Sequence, residues 1–446
     1  MLNNLMQSIL EEENSGRCLM ASKTSSRNIL RRYLQSGYLV EPYYGLYTRA
    51  EHWNKLLHKD KILHIALSLQ EKIKILAWKF TGETGAVMLN LNTVHTPNNY
   101  GKPTKIYVSC PYEEKYPASK NSQEEYTRAS RQLQRIHLPD IIEDELGLRI
   151  ETFNFAQKKS NNEQQNLPTT NFGHLETPRD KAMQHVASIY NILFACAWTL
   201  PFRRALPIFD SAARNNVDLE KVYKVCSEFY GKFRYQYDAP SFQDVPYLKD
   251  KHSIISNVNE CDILARLLIL CRLANGKSEN SGESLARATM IELGFKNPEL
   301  QREFFNKNNP EWPYRVDFAW EDNKKLIVGE LDGTDKYLAA SWADIDSIKS
   351  NEIDTNGKNT NGKNTIGNVD KLTNNNLHDG NSLTDSFESS ILHYYDRDAV
   401  RREHKRERFL LNCGVSNIVR FDFTDVVDPK KLENLLLDAG VPKISY

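Results

Sequence analysis

The sequence predicts a multidomain α/β protein, and three observations lead there. The chain has 446 residues, more than one hydrophobic core usually organises, since domains run roughly 100 to 200 residues. Near the N-terminus a short basic helix pattern precedes a strand-turn-strand pattern. The last third alternates elements in the order α-β-β-β-α-β. Hydrophobic residues at 40% and aromatics at 10% are ample for packed cores, which excludes global disorder. Three domains are expected: 1–65, 66–260 and 261–446, the last interrupted by an insertion at 345–390.

The N-terminal segment TSSRNILRRYLQSGYLV offers Ser25 or Ser26 as a helix cap and Gly37 as a stop. Ile29, Leu30, Tyr33 and Leu34 form one apolar stripe, which leaves Arg27, Arg31 and Arg32 on a polar face. The following YLVEPYYGLYT places β-favouring residues around a turn expected from Pro42 to Gly45. Helix then hairpin predicts a winged helix-turn-helix, in which the three arginines could meet phosphate or guanine of double-stranded DNA. Net charge is zero, so any nucleic-acid contact must rest on local charge. Here it can: Arg17 to Ala50 holds six Lys or Arg residues against the single Glu41.

The middle region reads as strands at TKIYVSC and LRIETF. Helices follow at PRDKAMQHVASIYNILFACAWTL and FRRALPIFDSAARNN, with Thr177, Pro178 and Asp180 as the expected start of the first. Asp210 and Arg203 read as members of surface ion pairs rather than of a site. The polar stretch from Gln157 to Gly173 reads as a loop. The insertion, with NGKNT repeated at Asn356 to Thr360 and Asn361 to Thr365, has a composition unable to offset chain entropy by apolar burial.

The C-terminal region concentrates the chemistry. GESLARATMIELGF predicts a helix carrying Glu283, and YRVDFAW and KLIVGEL predict a hairpin. Pairing those strands brings Asp317 near Glu330 and Asp332, and the last two, being two apart, share a strand face. Three carboxylates are thus expected to meet and to bind Mg²⁺ or Mn²⁺, since phosphodiester hydrolysis needs oxygen-ligated metal to polarise phosphate and generate hydroxide. The basic helix DRDAVRREHKRERF carries six Arg or Lys residues against four acids. Arg402 and Arg406 could reach DNA phosphate from it, although most of its charges read as i, i+4 ion pairs.

These residues resemble the PD-(D/E)xK restriction-endonuclease-like superfamily, especially its very-short-patch-repair branch, over the last third of the chain. The resemblance implies an α/β/α core, with Asp317 as the first metal-binding acid, Glu330 as the second and Glu283 as the first-helix acid. The motif's lysine position holds Asp332 instead, so Lys336 or Lys405 is expected to supply the positive charge. The basic helix and hairpin, FTGETGAVML, and FACAWTLPFRRALPIFDSAAR resemble the AbiEi-type antitoxin of type IV toxin-antitoxin systems. That resemblance implies operator binding and a cognate toxin as partner, in phage defence or mobile-element control.

Other classes are excluded on motif grounds. Gly276, Lys277 and Ser278 form the tail of a phosphate-binding loop, but Cys271 stands where its first glycine belongs, and no nucleophile elbow surrounds any cysteine. The seven cysteines lack metal-binding spacing and read as reduced, mostly buried thiols. No segment predicts a membrane span or secretory leader, so a cytoplasmic location is expected. The reading is a metal-dependent endonuclease with its own DNA-binding module; its rival is a non-catalytic DNA-binding regulator that keeps the fold for binding alone.

Overall fold

The computed structural model describes residues 2–20, 24–75, 78–95, 104–109, 133–136, 185–236, 260–306, 309–322, 325–332 and 404–444. It shows a mixed α/β chain that divides into two compact units. Unit 1 is Met1–Asn297 with Val426–Pro429, and unit 2 is Pro298–Asp425 with Lys430–Tyr446. No helix among the described residues is long and apolar enough to cross a membrane.

Unit 1 begins with α1 (Leu2–Asn14), β1 (Leu19–Met20), α2 (Thr24–Gln35), β2 (Leu39–Tyr43) and β3 (Leu46–Arg49). The three strands form a sheet in the order β1-β3-β2. α2 is already helical at Thr24, so Ser25 and Ser26 lie within its first turn rather than capping it. Its predicted stripe is borne out in part: Leu30, Tyr33 and Leu34 join Ile9, Leu39 and Tyr47 in one apolar cluster. The hairpin turn is tighter than expected. β2 runs through Pro42 to Tyr43, leaving Tyr44 and Gly45 as the turn, with Gly45 at φ +79° and its N–H donating to Glu41 Oε1 at 2.8 Å.

The next elements are α3 (Ala50–Lys55), α4 (His58–Ile75), β4 (Lys79–Phe80), α5 (Gly82–Met88), β5 (Ile106–Ser109) and β6 (Leu133–Ile136). The last three strands form a second sheet, β4-β5-β6, with β5 and β6 parallel. α4 runs across the boundary expected at residue 65. Its Ile62, Ile65, Ala66 and Leu69 share a core with Tyr43 and Leu46 of the hairpin and with Phe80, Ile106 and Val108 of the second sheet. The first two predicted domains are therefore packed as one body.

Five helices follow: α6 (Ile189–Thr199), α7 (Phe202–Arg214), α8 (Leu219–Gln236), α9 (Glu260–Leu273) and α10 (Ser281–Glu292). α6 starts later than its sequence suggests. Phe80 donates to His185 O at 2.7 Å and Ala187 donates to Phe80 O at 2.8 Å, which holds 185–187 against β4, and the Ser188 hydroxyl then caps Asn191 N–H. Thr177, Pro178 and Asp180 lie outside the described residues, as do the LRIETF strand, the 157–173 loop and the 345–390 insertion. α9 and α10, expected to open the C-terminal domain, belong to unit 1.

Unit 2 is built on β7 (Glu299–Asn306), β8 (Asn309–Asp322), β9 (Lys325–Leu331) and β10 (Val415–Phe421), in the order β10-β9-β8-β7. The β8-β9 hairpin is antiparallel and β10 lies parallel to β9. That parallel return requires a crossover, and the chain between β9 and β10 includes α11, residues 404–412. Phe304, Val316, Ala319 and Val328 of the sheet cluster with Phe409 and Leu410 of α11. Phe318, Trp320 and Phe421 pack together, with ring centroids 5.7 to 6.2 Å apart. Gly329 lies close beneath them: a Cβ there would sit 3.0 Å from the Trp320 ring, so that ring would have to shift to admit one. Two further helices, α12 (Phe423–Val427) and α13 (Pro429–Asp438), complete the described chain.

Candidate active site

The acids singled out in the sequence lie where the register of unit 2 puts them. Phe318 pairs with Gly329 across the β8-β9 hairpin, so one residue further along Asp317 stands opposite Glu330. Strand alternation then places both on the face that carries Ala319 and Val328, toward α11. Asp332, two beyond Glu330, shares that parity at the end of β9.

Each carboxylate is turned onto its own donor. Asp317 Oδ2 accepts from Leu331 N–H at 2.9 Å, and Oδ1 lies 3.5 Å from the Gln301 side-chain amide. Glu330 is buried, at 7% exposure, and its Oε1 accepts from Arg406 at 2.7 Å. The same Arg406 nitrogen donates to Arg315 O at 2.6 Å, so the guanidinium is clamped between β8 and β9. Asp332 is exposed and lies 3.7 Å from Arg420, while its N–H extends the ladder to Phe421 O at 3.0 Å. The expected meeting of three acids is therefore not seen: among the described residues no group of three or more His, Cys, Asp or Glu side chains is arranged to hold a metal. What the hairpin brings together is a pair, Asp317 and Glu330, with an arginine on the second.

The residue types of that pair are those that a small hard cation takes as ligands. Mg²⁺ is commonly held by one or two carboxylates, with waters and substrate phosphate completing its shell, so two oxygen donors on adjacent strands suffice. The two lysines expected to supply the positive charge differ in what can be said of them. Lys405 is exposed on α11, Lys336 lies outside the described residues, and Arg406 is the cation that the structure places on Glu330. The sequence held a signal for this. Arg406 precedes Phe409 and Leu410 by three and four residues, which puts it on the helix face that packs on the sheet.

Glu283 occupies a different setting. It lies in unit 1 at the start of α10, where Asn280 caps its N–H at 2.9 Å. In return its two oxygens accept from Glu279 N–H at 2.8 Å and the Asn280 amide at 2.7 Å. This reciprocal arrangement is a variant of the capping box, with the Glu279 N–H in place of the cap residue's own, and it accounts for a buried glutamate at that position without any reaction.

Of the DNA-contact residues, Arg31 and Arg32 are exposed on α2, opposite its buried Leu30. The Arg27 side chain and Arg402 lie outside the described residues. Of the cysteines, Cys18, Cys196 and Cys226 are buried, Cys271 is half-buried and Cys413 is exposed. No protein-family model, no curated protein and no solved structure matches the chain.

Proposed function

We propose that the protein is a Mg²⁺- or Mn²⁺-dependent endodeoxyribonuclease that carries its own DNA-binding module, an N-terminal winged helix. The observation that supports this most is the facing of Asp317 and Glu330 on adjacent strands, with Arg406 held on Glu330. In this reading unit 2 is a restriction-endonuclease-like core that departs from its motif at Asp332. A bound metal would polarise the scissile phosphate and lower the pKa of a water. Asp317 and Glu330 would hold that ion, and the Leu331 N–H donates to Asp317 Oδ2. Arg406 balances the second acid while DNA is absent and offers its guanidinium to the pentavalent phosphate when DNA is bound. Arg31 and Arg32 anchor duplex backbone, so affinity falls steeply with salt.

The rival reading, a DNA-binding regulator or antitoxin with a cognate toxin and no catalysis, draws on the acid at the lysine position. Supercoiled plasmid, incubated with the protein in Mg²⁺ or Mn²⁺ against EDTA, separates the two. The endonuclease nicks only with metal and loses this in Asp317→Ala while still binding duplex. Binding without nicking under any condition would favour the regulator.

A further inference from the structure

The residue facing Asp317 on its other side has an unusual backbone. β7 pairs with β8 through Leu300 opposite Phe318 and Arg302 opposite Val316, which sets Gln301 opposite Asp317. Gln301 nevertheless sits at φ +55°, in the left-handed region. Among the described residues the other non-glycine cases are Asn90 and Asn216, asparagines at helix ends where that conformation is usual. A glutamine inside a strand has no such reason. L-residues hold this conformation only where their surroundings impose it, and such residues collect at functional sites.

We propose that Gln301 is a positioning residue for Asp317: its strained backbone aims the side-chain amide at the carboxylate, which Leu331 N–H grips from the β9 side. The inference rests on the reading of Asp317 as the metal-binding acid of a nuclease. The two donors act on different oxygens, Gln301 on Oδ1 and Leu331 on Oδ2, so together they fix the rotation of the carboxylate. An amide suits the place. As a donor it favours the ionised acid, whereas a glutamate would repel it.

The test uses the full chain as wild type, Gln301→Leu and Gln301→Gly, with two readouts. Asp-selective carboxyl ¹³C labelling, assigned by Asp317→Asn, follows the titration of Asp317, and plasmid nicking is measured against metal and DNA concentration. Gln301→Leu is expected to raise the Asp317 midpoint, to lower kcat on the order of 10-fold or more, and to raise the metal concentration for half-maximal nicking with KM for DNA unchanged. Gln301→Gly, which relieves the backbone, is expected to unfold at no lower urea concentration than wild type and yet to nick as poorly as Gln301→Leu. An unchanged Asp317 midpoint, or nicking at the wild-type rate in either variant, overturns the proposal. Where wild type does not nick but Gln301→Leu still moves the midpoint, Gln301 does hold Asp317 and the nuclease reading alone falls.

Discussion

Two acid-arginine pairs, one in each unit, differ in how far they are sealed from solvent. Asp210 and Arg287 of unit 1 are sealed, with side-chain exposures of 0% and 1%, whereas Glu330 and Arg406 of unit 2 keep 10% and 24%. Asp210 Oδ1 accepts from Arg287 at 2.5 Å and from Asn275 N–H at 2.8 Å, and Arg287 donates onward to Leu273 O at 2.8 Å. The pair thus ties α7, α10 and the end of α9 together. Burial still pushes the Asp210 carboxyl up from its usual range, against the opposing Arg287 charge. The unit 2 pair ties two strands to one helix but stays in reach of solvent. A charge that must exchange partners during a reaction needs that access; a charge that braces helices does not.

The largest expected effect breaks this comparison if it fails. Arg287→Leu strands a buried aspartate and should cost roughly 3 to 5 kcal/mol, read as a lower urea midpoint. Glu330→Gln keeps an acceptor for Arg406 and should change stability by less than about 1 kcal/mol while abolishing nicking. Equal losses in both would make Glu330 a brace like Asp210.

A second prediction concerns acid stability. His58 and His95 stack with centroids 3.7 Å apart. Burial, with Arg204 and Lys61 nearby, lowers His58 to about 4; burial, then His58 and Arg204, lowers His95 to about 3, although Glu83 acts the other way. Folded values below the ordinary 6.5 mean that the unfolded chain takes up protons first. Stability is therefore complete above pH 6.5 and is lost as pH falls from there toward about 4 and 3. Each histidine adds a slope of at most about 1.4 kcal/mol per pH unit. His95→Gln should flatten urea midpoints measured between pH 7 and 4.5; an unaltered slope would mean that the pair plays no part in acid sensitivity.

A smaller change sharpens the assignment of Glu283. Removing one arm of the α10 capping box by Glu283→Ala should cost about 1 kcal/mol and leave nicking intact, whereas an inactive but stably folded variant would restore Glu283 to the reaction. The smallest effect is expected at α2. Arg31→Ala with Arg32→Ala should weaken duplex binding and reduce the slope of log affinity against log salt by about 0.9 for each phosphate no longer neutralised.

Much of this architecture was legible because it is local. The stripe of α2, the β8-β9 hairpin and the α-β-β-β-α-β order each follow from patterns within a dozen residues. What was hidden depends on distant partners. Asp210 read as a surface acid because Arg287 lies 77 positions away. The division after Asn297 depends on α9 and α10 packing on α6, α7 and α8, which no periodicity announces. The nearness of Asp317 to Glu330 was expected from pairing the two strands, which is again a local pattern. The arginine on Glu330 was not, because a basic helix offers six cationic candidates and only the packed face selects one.

The central claim is that Asp317 and Glu330 form a metal-binding pair, and Mn²⁺ titration followed by electron paramagnetic resonance tests it most directly. Wild type should bind Mn²⁺ at a site that disappears in both Asp317→Asn and Glu330→Gln and is retained in Asp210→Asn if that variant folds. Binding that survives both substitutions, or none in wild type, would contradict it.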